Sequence, residues 1–115
     1  MANFDVVLTD QAPIPSSGYS QAIVAGNLVV TSGYLGTHPD GSGVVKGGFD
    51  AEVRQALSNI KAVLEEAGCT TADVIRVNVS LTDVTRFPPA HTSIAMSRSV
   101  PGATTSDFRS AATED

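Results

Sequence analysis

From Asp50 to Ala67 the apolar residues Val53, Ala56, Leu57, Ile60, Val63, Leu64 and Ala67 recur at intervals of three and four, the period that lines side chains along one stripe of a helix. Asp50 suits the electropositive start of such a helix, and Gly68 supplies the usual stop after its last turn. Val74 to Thr82 keeps a different period: Ile75, Val77, Val79 and Leu81 alternate with Arg76, Asn78 and Ser80, which predicts a strand with one apolar and one polar face. The apolar face is expected to pack under the helix. The polar face then needs water or another subunit, so an oligomer is expected.

Upstream, Phe4 to Leu8 alternates weakly and reads as a first strand, ended by Ala12-Pro13-Ile14-Pro15, where the prolines forbid regular pairing. Gln21 to Ala25 and Leu28 to Thr31 are apolar runs separated by Gly26-Asn27, a pair that tolerates positive φ and so predicts a β-hairpin with a two-residue turn. Thr37 to Gly43 is rich in turn formers and reads as an exposed loop. Downstream, Pro88 can open a second helix that continues over Ala90 to Ser99, and Phe108 to Ala112 can begin another strand. The order strand, hairpin, helix, strand, helix, partial strand predicts an α+β fold, a mixed sheet with both helices packed on one face.

Length adds that residues 1–115 make a single domain, one that would bury roughly 65% of its unfolded surface. Hydrophobic residues at 42% and charged residues at 17% exclude a disordered or collagen-like chain. A net charge of -5, with cations not clustered in sequence, argues against a nucleic-acid partner. No apolar stretch is long enough for a membrane span, and Met1 to Asp5 lacks the features of a secretory signal, so a cytoplasmic protein is expected. Cys69 is the single cysteine, and His38 and His91 are the two histidines. That set allows no intramolecular disulfide and no zinc motif, and no metal is expected.

General motifs yield no chemistry. Gly41, Gly43 and Gly47 miss the dinucleotide fingerprint by one residue and precede no strand-to-helix crossover. Gly18-Tyr19-Ser20-Gln21-Ala22 lacks the second glycine of a nucleophile elbow, which makes Ser20 a strand residue rather than a nucleophile.

A combination of segments is more informative. Ser17-Gly18-Tyr19-Ser20-Gln21-Ala22, Val30-Thr31-Ser32-Gly33, the helix run from Arg54 to Gly68, and Val79-Ser80-Leu81-Thr82-Asp83 with Phe87 together resemble the RidA family, the reactive-intermediate deaminases also called YjgF-like or L-PSP proteins. The resemblance runs from about Thr9 to Phe87 with order and spacing intact. It implies a chorismate-mutase-like α+β fold, a homotrimer with clefts between subunits, and hydrolysis of enamines and imines such as 2-aminoacrylate to 2-keto acids and ammonia, with no cofactor.

The resemblance also implies site residues. Asp107-Phe108-Arg109-Ser110-Ala111 is similar to the family's Pro-Ala-Arg segment, whose guanidinium binds the substrate carboxylate through two parallel charge-assisted bonds. Arg109 is thus the candidate carboxylate anchor, against an ordinary surface Arg. Tyr19 matches the cleft tyrosine, against a half-buried core ring, and with Arg109 makes the candidate catalytic pair. Ser32 and Gly33 match the segment whose backbone closes on the substrate, although a strand-end role suits Ser32 alone. Tyr34 replaces a glutamine common in the family, implying a bulkier, more apolar pocket wall. His91 stands where the family usually has a cleft-lining Asn, and an imidazole can make similar hydrogen bonds.

Past Phe87 the resemblance weakens. The family carries, on a further strand, a Glu that orients the attacking water, and no residue up to Asp115 matches it; Glu114 lies too close to Arg109. General-base help typically contributes about 10² to 10⁴ in rate. Two further expectations therefore stand beside the deaminase: a non-catalytic binder of small carboxylates, and the endoribonuclease of the family's older name, against which the acidic charge and the lack of a His pair both argue.

Overall fold

Gly26, at φ 61, turns the chain between β2 (Ala22–Ala25) and β3 (Leu28–Thr31), which pair antiparallel with Ala25 opposite Leu28. This is the two-residue hairpin that Gly26-Asn27 predicts. The computed structural model of the chain describes residues 4–15, 18–81 and 85. β1 (Phe4–Val7) pairs antiparallel with the other side of β2, giving a three-stranded sheet in the order β1-β2-β3. The described sheet is antiparallel throughout. Contacts divide the chain into two compact units, Met1–Thr70 and Thr71–Asp115.

In the first unit the long helix α1 spans Gly48–Glu66, starting two residues before the expected Asp50. Its end is set by Gly68, whose φ of 83 lets two reverse bonds form, Gly68 N–H to Glu65 O at 3.0 Å and Cys69 N–H to Leu64 O at 2.8 Å. These satisfy carbonyls that the last turn would otherwise leave open. Val63 and Leu64 are buried, and Val63 joins Val7, Ala12 and Ala22 in the core, with Val24, Val29, Tyr34, Ala62 and Ala67 packed around it. Helix and sheet thus make the two layers of an α+β unit.

Register gives the sheet two unlike faces. Val7, Ala22, Val24 and Val29 belong to the core side. The opposite side carries the rows Phe4–Ala25–Leu28 and Val6–Ile23–Val30; of these Phe4, Val6, Leu28 and Val30 are exposed.

The second unit departs from expectation. A short 3-10 turn occupies Thr71–Asp73, and residues 74–81 are not assigned to any strand. The period of two survives as exposure, with Val77, Val79 and Leu81 half-buried and Asn78 and Ser80 exposed, while Ile75 is 79% exposed. Alternation specifies which side chains share a face, but a strand also requires a neighbour for its N–H and C=O groups. Residues 74–81 therefore show alternating exposure without forming the polar sheet face from which an oligomer is expected. The expected second helix over Ala90 to Ser99 and the strand at Phe108 to Ala112 lie outside the described residues, as do His91 and Arg109.

Candidate functional site

The candidate residues that the structure describes sit where β3 ends and the chain enters β2. Ser32 follows the last residue of β3, and its backbone N–H donates to Gln21 O at 2.9 Å. Its hydroxyl donates to Ser20 O. Both bonds tie Ser32 to the segment that carries Tyr19, so the two stretches singled out in sequence are joined side by side. Ser32 has the expected strand-end role, and Ser20 contributes its carbonyl.

Gly33 follows with open space on its side-chain side, since a Cβ there would meet none of the described residues within 4 Å. Tyr19 is 60% exposed, so it is not a half-buried core ring in the single chain. Tyr34 behaves differently. Its ring packs against the core of Val7, Ala12, Ala22 and Val63, and its hydroxyl is buried without a hydrogen-bond partner among the described residues. Burial, and secondarily the Tyr19 phenol, push the Tyr34 pKa above its usual value, which keeps the hydroxyl protonated as a donor.

Two residues given no role of their own in the sequence reading hold this arrangement. Gln21 is 0% exposed: its Oε1 accepts the Thr9 N–H at 2.7 Å, and its Nε2 donates to the carbonyls of Thr9 (2.9 Å), Ala12 (3.2 Å) and Pro13 (3.0 Å). The prolines leave this loop without ladder partners, and one carboxamide satisfies it instead. Asn59 is the equivalent on α1, also 0% exposed: its Nδ2 donates to Leu35 O at 3.1 Å and Thr37 O at 2.9 Å, and its Oδ1 accepts from Gln55 Nε2 at 2.9 Å. A polar residue on the apolar stripe of a helix, four before Val63, was the signal available in sequence.

The loop that Asn59 holds lies directly on the helix. Gly36 is buried, and a Cβ there would come within 2.5 Å of the Glu52 Cα and carbonyl oxygen. Beyond it the stretch read as an exposed loop closes into a small ordered hairpin. Thr37 bridges Val44, His38 N–H donates to Gly43 O, and Val45 N–H donates to Gly36 O. At its tip Ser42 donates to Asp40, which lowers the Asp40 pKa. Among the described residues, no three His, Cys, Asp or Glu side chains come together as metal ligands, and no helix is long and apolar enough to cross a membrane.

Comparison with known proteins covers this whole region. The sequence profile of the family Endoribonuclease L-PSP matches residues 9–110, a span that takes in every candidate from Tyr19 to Arg109. A RutC family protein of Pyrococcus horikoshii is 45% identical over 83 residues, 72% of this chain and 66% of that protein. A rat protein named 2-iminobutanoate/2-iminopropanoate deaminase is 35% identical over 82 residues, 71% of this chain and 60% of its own length. Among solved structures, RidA from an Antarctic Psychrobacter superposes with a TM-score of 0.78 at 35% identity, covering 95% of this chain and 84% of that one. The first curated relatives are matched over 65%, 66% and 62% of their own length, a little less than two thirds.

Proposed function

Because the chain belongs to the Endoribonuclease L-PSP family, which is also the RidA and YjgF family, we propose that it is an enamine/imine deaminase acting on 2-aminoacrylate-type intermediates. Water adds across the C=N bond of the imine, and the resulting carbinolamine loses ammonia to leave a 2-keto acid. What carries this reading is the family match over residues 9–110 together with relatives named 2-iminobutanoate/2-iminopropanoate deaminase at 35% and 37% identity.

The proposed roles follow from chemistry. Arg109 grips the substrate carboxylate through paired N–H donors. Tyr19, with its ring in the open, and the backbone of Ser32–Gly33 line the substrate, Gly33 permitting close approach. Tyr34 backs this wall and His91 completes it. The protein works as a homotrimer without a cofactor, with the exposed apolar face of Phe4, Val6, Leu28 and Val30 covered by a second copy. Removing such a face from water is favourable by about 25 cal/mol per Å².

The test is keto-acid release from 2-aminoacrylate generated enzymatically in the assay. The wild type is expected to speed release and Arg109→Ala to lose that acceleration. An unaccelerated wild type overturns the proposal, and keto-acid binding in calorimetry without turnover would make the protein a small-carboxylate binder instead. Cleavage of RNA that survives repurification and is lost in Arg109→Ala would point to the ribonuclease.

A further inference from the structure

The backbone of Ser32–Gly33 is held by groups on both sides of it in sequence and is open on the third. Before it, Ser32 is tied through two bonds to the carbonyls of Ser20 and Gln21, and the Gln21 side chain fastens that same segment to the loop from Thr9 to Pro13. After it, Asn59 holds the carbonyls of Leu35 and Thr37 against α1, where Gly36 already touches the helix backbone at Glu52. Gly33 between them has none of the described residues within 4 Å of its side-chain position. We propose that Gln21 and Asn59 are positioning residues, two buried carboxamides that suspend the Ser32–Gly33 backbone from opposite ends and preset it for the ligand.

The chemistry of the amide suits the task. A carboxamide offers two N–H donors and a carbonyl acceptor on one rigid plane. Asn59 uses both kinds, donating to the loop while Gln55 donates to its oxygen. A carboxylate of the same shape keeps the acceptor and loses the donors, turning attraction to the loop carbonyls into repulsion. A displacement of about 1 Å at a ligand-contacting segment can cost on the order of 10² in rate.

The activity arm of the test rests on the deaminase reading; the exchange arm does not. Asn59→Asp and Gln21→Glu are compared with wild type by keto-acid release and by amide hydrogen exchange at Ser32 and Val45, whose N–H groups bond across the held segments. Val63→Ala, which removes core methyl groups and leaves every hydrogen bond of both carboxamides in place, serves as the control for lost stability. Gln55→Ala removes the donor to Asn59 and nothing else from the pair, so it remains informative if Asn59→Asp does not fold. Expected are a rise in KM of about tenfold in Asn59→Asp and Gln21→Glu, a smaller rise in Gln55→Ala, and unchanged KM in Val63→Ala. Exchange should quicken at Val45 in the Asn59 and Gln55 variants and at Ser32 in Gln21→Glu. Unchanged exchange at those amides, or an unchanged KM in a variant that merely loses active protein as Val63→Ala does, overturns the proposal. If the wild type shows no turnover, the deaminase reading fails and the exchange result alone decides this one.

Discussion

The two faces of the β1-β2-β3 sheet are both rich in apolar residues and have opposite fates. Val7, Ala22, Val24 and Val29 lie in or against the core with Val63 of α1, whereas Phe4, Val6, Leu28 and Val30 on the reverse are exposed in the single chain. Alternation alone would point the wrong way, because the open face is wholly apolar while the core side also carries Asp5 and Thr31 at its edges. Exposed apolar surface of this kind on a sheet marks an interaction site or an aggregation hazard. The difference teaches that one layer of helix completes half of this sheet, and that the other half is the surface left for a second copy in the proposed trimer.

The sharpest way to break that comparison is to place the same charge on each face. Val63→Asp puts a carboxylate at a position with 0% exposure and no cation near it in the core cluster; it should cost more than about 4 kcal/mol, enough to unfold the chain. Val30→Asp, at a position 57% exposed, should change the stability of the single chain by less than about 1 kcal/mol. Native mass spectrometry should nevertheless show wild-type protein as a multimer and Val30→Asp as a single chain. Circular dichroism of both variants checks the contrast, and unfolding of Val30→Asp would show that the open face is core.

The next effect sharpens the packed side. Gly36→Ala would drive a methyl group to within 2.5 Å of the Glu52 backbone, and backbone cannot step aside as a flexible side chain can. The expected loss is about 2 to 3 kcal/mol, read as a fall in Tm on the order of 10 °C or more. Gly33→Ala, with nothing among the described residues within 4 Å, should leave stability nearly unchanged.

Much of this was legible in the residues themselves. Periodicity gave α1 to within two positions at its start, and Gly26-Asn27 gave the hairpin, because both signals are local. The family resemblance on the Tyr19 and Ser32 segments came from the same local runs. Less legible was anything that depends on a distant partner. The alternation at Val74 to Leu81 implied a strand, yet a ladder is a property of two segments. The roles of Gln21 and Asn59 were hidden for the same reason, since their acceptors lie as far as 12 and 24 residues away. The exposed loop expected from Thr37 to Gly43 is there, exposed at His38, Asp40, Gly41 and Ser42, and what its sequence did not show is how its turn formers bond one another.

The smallest expected effect tests an imperfect contact on the packed side. The Tyr34 hydroxyl is buried with no partner among the described residues, and leaving such a group unpaired costs about 1 to 3 kcal/mol. Tyr34→Phe keeps the ring against Val7, Ala12, Ala22 and Val63 and removes the orphan oxygen, so the variant should be more stable by about 1 kcal/mol in urea unfolding at neutral pH. The raised pKa gives the pH dependence its sign. In the unfolded chain the phenol ionises near pH 10, while in the folded protein it holds its proton to higher pH. The associated stability is therefore complete below about pH 10 and is lost as pH climbs through the folded value. Phenylalanine has no proton to lose, so the advantage of Tyr34→Phe should widen between pH 9 and 11 (about one unit either side of the free phenol's pKa). A variant less stable than wild type at neutral pH would mean that the hydroxyl has an acceptor beyond the described residues and that the side chain is no unpaired core group.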